Sequence, residues 1–202
     1  NIVVDNEFEE LWEQKMEKRA ELIEYLEQHG VTNTKFIMMW SAYQIDGPRK
    51  GMKYFITILE ILKYLLKDNN PKGVVLVICA RPDTKYTSIL KELNISNVIG
   101  FLDRDAYNSA LAASDIFCST TIADAGPRTT YESAAMATPV ISFDNCNASD
   151  FVTDKNGALI DTYDVKKFAE EIKRFMEFSP EQKKETSLNM YEVYKEKMDS
   201  KK

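Results

Sequence analysis

The chain has 202 residues, with 26 Lys and Arg against 32 Asp and Glu, for a net charge of −6. Apolar residues make up 44%, enough to bury a core, which excludes a chain disordered throughout. The acidic balance argues against nucleic-acid wrapping, which needs clustered cations, so any bound anion must be held locally by a few cations or backbone N–H groups.

Phe8, Leu11, Trp12, Met16, Leu22, Ile23 and Leu26 recur at helical spacing and predict an amphipathic helix over Glu7–His29, closed by Gly30. Lys35–Ala42 has strand length. Lys50–Lys67 reads as a long helix, broken by Asn69-Asn70-Pro71-Lys72-Gly73. Val74–Cys79 is apolar without alternation, as in a parallel strand covered on both faces. Helices then follow at Thr84–Leu93, Asp105–Ala113, Pro127–Met136, Asp164–Met176 and Glu181–Lys197. Strands are expected at Val98–Gly100, Ile116–Cys118, Pro139–Phe143 and Ala158–Ile160. Regular alternation of strand and helix, with no linker or repeat, predicts one α/β domain with a doubly wound, Rossmann-like parallel sheet. Ligands in such sheets bind beyond the carboxyl ends of the strands. The loops to inspect are Ser41–Lys50, Ala80–Lys85, Phe101–Asp105 and Ser119–Pro127.

Several chemistries lose their support. Cys79, Cys118 and Cys146 are odd in number and widely spaced, and His29 is the only histidine. Neither a disulfide framework, a zinc site nor a histidine triad is expected. The seven glycines include no G-x-G pair, and no G-x-x-x-x-G-K-[ST] run occurs, which removes the dinucleotide fingerprint and the P-loop. Val74–Ala80, the longest apolar stretch, is too short to span a bilayer, and the first twenty residues are rich in Glu. The expected compartment is cytoplasmic.

Two loops carry interpretable chemistry. In Asp46-Gly47-Pro48-Arg49-Lys50-Gly51, two cations stand where a helix is expected to open and oppose its macrodipole. Either this is a solvated turn or an anion sits between the cations. In Asp124-Ala125-Gly126-Pro127-Arg128-Thr129-Thr130-Tyr131-Glu132, Pro127 suits the first helical position with Gly126 as its cap. The N–H groups of Arg128, Thr129 and Thr130 would then have no intrahelical acceptor and could hold an anion. Glu132 leans back toward that mouth and could accept hydrogen bonds from a diol such as a ribose. The alternative is a solvated Glu132 and a turn Asp124. Asp103-Arg104-Asp105 has the D-x-D form of a metal-dependent transferase, but capping of the following helix explains it better, and no metal is assigned.

These segments resemble the nucleotide-sugar-binding half of family-4 glycosyltransferases of the GT-B fold. Asp124 and Glu132 stand eight apart, like that family's E-x7-E pair of acids. Met136-Ala137-Thr138-Pro139-Val140-Ile141-Ser142 is similar to its G-T-P-V turn into a strand, and Asn156-Gly157-Ala158-Leu159-Ile160 to its N-G-L segment. Pro48-Arg49-Lys50-Gly51 and Val98-Ile99-Gly100-Phe101-Leu102 resemble two further motifs, in order, so the likeness runs from about Phe36 to Met176. It implies that Lys50, helped by Arg49, binds the donor diphosphate and that backbone around Gly126, Pro127, Arg128, Thr129 and Thr130 holds phosphate oxygens. It further implies Glu132 on the ribose, Asp124 on the donor sugar and Leu102 beside the nucleobase.

Three departures stand out: Ser41-Ala42 lacks the family's frequent G-R pair, Asp124 replaces Glu, and Ala137 replaces Gly, which suggests a different turn. The Asp-x-Gly-Pro variant is closest to bacterial surface-polysaccharide enzymes. By this resemblance residues 1–202 form a single C-terminal donor-binding domain of a larger enzyme whose N-terminal acceptor half is missing, with the helix that crosses back absent or cut short after Asp199. The implied activity is retaining, metal- and cofactor-independent sugar transfer from a nucleoside-diphosphate donor to a hydroxyl acceptor in polysaccharide or lipopolysaccharide biosynthesis. The implied partners are the nucleotide sugar and the acceptor half; no nucleic acid is expected, and the full enzyme could associate peripherally with a membrane. Other readings are another activity of the same fold, such as a sugar-nucleotide epimerase or a phosphorylase, the latter disfavoured because no lysine is placed to hold its cofactor, or a non-catalytic nucleotide- or partner-binding α/β module. All of this requires the Arg49–Lys50 corner and the segment after Gly126 to face one small positive pocket.

Overall fold

The computed structural model describes residues 6–67, 73–124 and 128–199. Gly126, Pro127 and the Asn69–Lys72 part of the expected helix break lie outside the described residues. Six strands form one parallel sheet: β1 (Phe36–Gln44), β2 (Val74–Arg81), β3 (Ser96–Gly100), β4 (Ile116–Ser119), β5 (Val140–Phe143) and β6 (Gly157–Ile160). Their order is β3-β2-β1-β4-β5-β6, the doubly wound arrangement, which reverses direction between β1 and β4.

The helices are α1 (Asn6–Gln28), α2 (Met52–Leu66), α3 (Thr84–Glu92), α4 (Arg104–Ala113), α5 (Arg128–Ala135), α6 (Val165–Met176) and α7 (Pro180–Asp199). Strand alternation sorts side chains into two cores. Phe36, Met38 and Trp40 of β1, with Leu76 and Ile78 of β2, pack under Phe55 and Leu59 of α2 and Phe168 and Ile172 of α6. Ile37, Met39, Val75 and Val77 point to the other face, against Leu26 of α1, Leu111 of α4 and Met190 of α7. This explains why β1 and β2 read as unbroken apolar runs: each residue has a helix layer to meet.

Two expectations change in detail. Lys50 does not open α2; Pro48–Lys50 forms a separate 3₁₀ turn, and Gly51, left-handed at φ 72°, divides it from the helix. The Ala137 turn keeps the left-handed geometry that glycine usually supplies (φ 50°), with Thr138 N–H donating to the Ser133 carbonyl at 2.8 Å. A left-handed alanine costs about 1–2 kcal/mol, and its fully buried methyl packs in a small core with Phe8 and Leu188.

The Asn156-Gly157 pair also has a physical reason. The buried Asn156 amide donates to the Phe151 carbonyl at 2.9 Å and accepts from Thr153 N–H at 2.8 Å, pinning the loop before β6. A Cβ on Gly157 would lie 2.0 Å from the Val140 carbonyl oxygen, so only glycine lets β6 approach β5 there.

Candidate active site

The basic turn is fastened to the loop after β4. Trp40 Nε1 donates to Thr120 Oγ1 at 3.0 Å, and Thr120 Oγ1 donates to the Lys50 carbonyl at 2.9 Å. Ile122 N–H donates to the Arg49 carbonyl at 2.8 Å. A Cβ on Gly51 would fall 2.1 Å from the Thr120 carbonyl oxygen, so glycine is required by space as well as by its positive φ. These contacts carry the Lys50 ammonium to Asp124, where Nζ and Oδ2 are 2.5 Å apart.

Beyond the carboxyl ends of β1, β2 and β3 a cavity of about 600 Å³ opens. Its wall includes Ser41 and Tyr43 from β1, Cys79 from β2, the Phe101–Asp103 loop after β3, and Arg104 and Tyr107 of α4. Asp124, Arg128, Thr129 and Glu132 close the other side, beside Lys50. The β1–β2 register shifts between Ser41 and Gln44, which loosens the ladder where the cavity begins. The site thus lies at the reversal of strand order, where doubly wound sheets bind ligands.

The cavity's charges are paired with one another. Glu132 Oε1 accepts from Arg104 at 2.7 Å and from Arg128 Nε at 3.2 Å. Lys50 faces Asp124. Asp103 caps α4 by accepting from Ala106 N–H at 2.9 Å, so the D-R-D segment does begin a helix with a cap. Lys50, Arg104 and Arg128 thus share the cavity wall with Asp103, Asp124 and Glu132, three charges of each sign. The pocket expected to be positive is instead charge-balanced, because Asp124 and Glu132 answer its cations. Among the described residues no cluster of three His, Cys, Asp or Glu side chains could hold a metal.

Lys50, Leu102, Asp124, Arg128, Thr129 and Glu132 all line this one cavity. Arg49 is exposed and outside the described lining, and Thr130 is buried. Gly126 and Pro127 lie outside the described residues.

Several lining residues escaped the sequence reading. Arg104 was passed over inside D-R-D, and Tyr107, three residues on, shares its face of α4. At the mouth, Tyr43 and Phe101 meet edge to face at 5.8 Å, and the Arg81 guanidinium lies 4.3 Å and 5.3 Å from their centroids. Exposed aromatics at the ends of β1 and β3 were the signal for that rim.

Residues 27–192 match the family model described as glycosyl transferases group 1. The chain belongs to that family. No curated protein matches it. Among solved structures it is similar to S. aureus TarM in complex with fondaparinux, alpha-GlcNAc-glycerol and UDP (19% identity, TM-score 0.68), over 82% of this chain and 33% of TarM. It is similar to WaaG, a glycosyltransferase involved in lipopolysaccharide biosynthesis (18% identity, TM-score 0.65), over 85% of this chain and 45% of WaaG. The Candida albicans trehalose-6-phosphate phosphatase N-terminal domain aligns at 16% identity and TM-score 0.69, over 94% of this chain and 44% of that one. These likenesses show the fold, a Rossmann-like half of the GT-B type. The chain spans about a third to just under half of the length of these structures.

Proposed function

We propose that this glycosyltransferase-family chain is the donor-binding domain of a retaining, family-4 enzyme that moves a sugar from a nucleoside diphosphate to a hydroxyl acceptor in surface-polysaccharide or lipopolysaccharide biosynthesis. One observation carries the reading: Lys50, Arg104 and Arg128 share a cavity of nucleotide size with the carboxylates of Asp124 and Glu132. A diphosphate entering it would exchange partners with the existing ion pairs. Lys50 would turn from Asp124 to the phosphate, and the released Asp124 would meet the donor sugar. Glu132 would accept from the ribose hydroxyls, whose two donors suit a carboxylate. As the sugar–phosphate bond breaks, charge grows on the leaving diphosphate, and Lys50 and Arg128 are cations able to stabilise it; one well-placed group of this kind is typically worth ~10²–10³ in rate. Arg104 would supply a guanidinium in a cavity whose β1 end, Ser41-Ala42, has none. The UDP bound to the related TarM structure supports a nucleoside diphosphate as the ligand class.

Calorimetric titration with UDP, GDP, ADP and their common sugar conjugates tests the proposal. One nucleoside diphosphate should bind, and Lys50→Ala and Glu132→Ala should each weaken it by about tenfold or more, the loss of a charge-assisted hydrogen bond. Binding of none of them would favour a non-catalytic module.

A further inference from the structure

We infer that Tyr107 is a positioning residue for Glu132, its hydroxyl engaging the carboxylate when a nucleotide fills the cavity. The inference rests on the donor-site reading above. Tyr107 is nine-tenths buried on α4, with its ring in the core beside Leu111 and Phe117 and its edge on the cavity wall. The Tyr107 hydroxyl is buried and makes no hydrogen bond of acceptable geometry. Ser41, Glu132 and the Cys79 thiol lie close enough to perturb it, and of these Glu132 is the one that carries a charge to orient. A buried hydroxyl without a partner is destabilising, and phenylalanine would fill the same core without that penalty. The group therefore calls for a partner.

Glu132 provides one. Both of its ion pairs engage the same oxygen, Oε1, and both come from exposed guanidinium groups, Arg104 and Arg128. Such exposed pairs are weakly held and exchange readily for a stronger anion. A diphosphate drawing off the arginines frees the carboxylate to turn. Ligand hydroxyls then approach from the solvent side while Tyr107 donates from behind, leaving the oxygens aimed at the ligand. Burial pushes the Tyr107 hydroxyl well above the usual tyrosine range, so it stays a donor across working pH. The device acts on the part of the ligand that Glu132 reads and leaves the Lys50 side of the cavity untouched.

The test is calorimetry on the full chain with the nucleoside diphosphate that the wild type binds best among UDP, GDP and ADP, and in parallel with inorganic pyrophosphate. Tyr107→Phe should retain the wild-type melting temperature or exceed it. Its affinity for the nucleotide should fall five- to twentyfold while its affinity for pyrophosphate is unchanged. In a Glu132→Ala background, which lacks the acceptor, the same substitution should have no further effect. Unchanged nucleotide affinity in Tyr107→Phe overturns the inference alone, as does an equal loss for pyrophosphate, which marks general damage to the cavity. A wild type that binds no nucleoside diphosphate overturns the donor-site reading and this inference with it.

Discussion

Lys15 of α1 is almost wholly buried. It donates to the carbonyls of Ala112 and Ser114 at 2.6 and 2.9 Å and to Thr138 Oγ1 at 3.0 Å, so one side chain of α1 closes the carboxyl end of α4. Burial lowers its pKa to about 7, against an opposing pull from Asp115. Between pH 7 and about 10 the unfolded chain holds this proton and the folded chain has lost it, so stability rises with pH in that window. Thermal or urea unfolding should show a rise of up to about 1.4 kcal/mol per pH unit from pH 7 to 9. Lys15→Met should flatten it; an unchanged slope in the variant would assign the effect to another group.

Among the elements, the 3₁₀ turn Pro48–Lys50 bears most directly on the site. It is fastened to the loop after β4 through Thr120 and Ile122, and through the Lys50–Asp124 ion pair, so its lysine is placed by tertiary contact. Gly51→Ala would drive a methyl against the Thr120 carbonyl at a positive φ. The expected loss is about 2–4 kcal/mol in denaturant unfolding, together with weakened nucleotide binding as Lys50 shifts. A loss below about 1 kcal/mol would show that the turn can relax away from β4. Helix α4 illustrates a different kind of dependence. Its existence follows from the Asp103 cap and an apolar face ending in Leu111, but the same helix delivers Arg104 and Tyr107 to Glu132, which lies 28 and 25 residues further on in sequence.

For the whole molecule, Asp115 is the knot between layers. It accepts from Ile37 N–H, from Arg19 of α1 at 2.7 Å and from Lys183 of α7 at 2.9 Å, joining the sheet to the first and last helices. The proposed reaction also needs an acceptor site, which the GT-B resemblance assigns to a further domain. Supplied with a nucleotide sugar and a hydroxyl acceptor, the chain by itself is therefore expected to bind donor yet release no nucleoside diphosphate above the uncatalysed rate. Steady release in a coupled assay would show that the acceptor side is already complete. No helix among the described residues is long and apolar enough to cross a membrane.

Local chemistry was legible in the residues themselves. Periodicity placed the strands and helices to within a few positions, because each buried face writes its own spacing into the chain. The Lys50, Asp124 and Glu132 positions stood out because they fall within two short contiguous stretches, Asp46–Gly51 and Asp124–Glu132, whose residue types carry readable chemistry. Pairing was not legible. That Lys50 is answered by Asp124, and Glu132 by Arg104 and Arg128, depends on which loops the parallel sheet gathers at one edge. The cavity's neutrality, the unpartnered Tyr107 hydroxyl and the aromatic rim of Tyr43 and Phe101 share that origin: they are properties of distances between segments far apart in the chain, and only the folded sheet sets those distances.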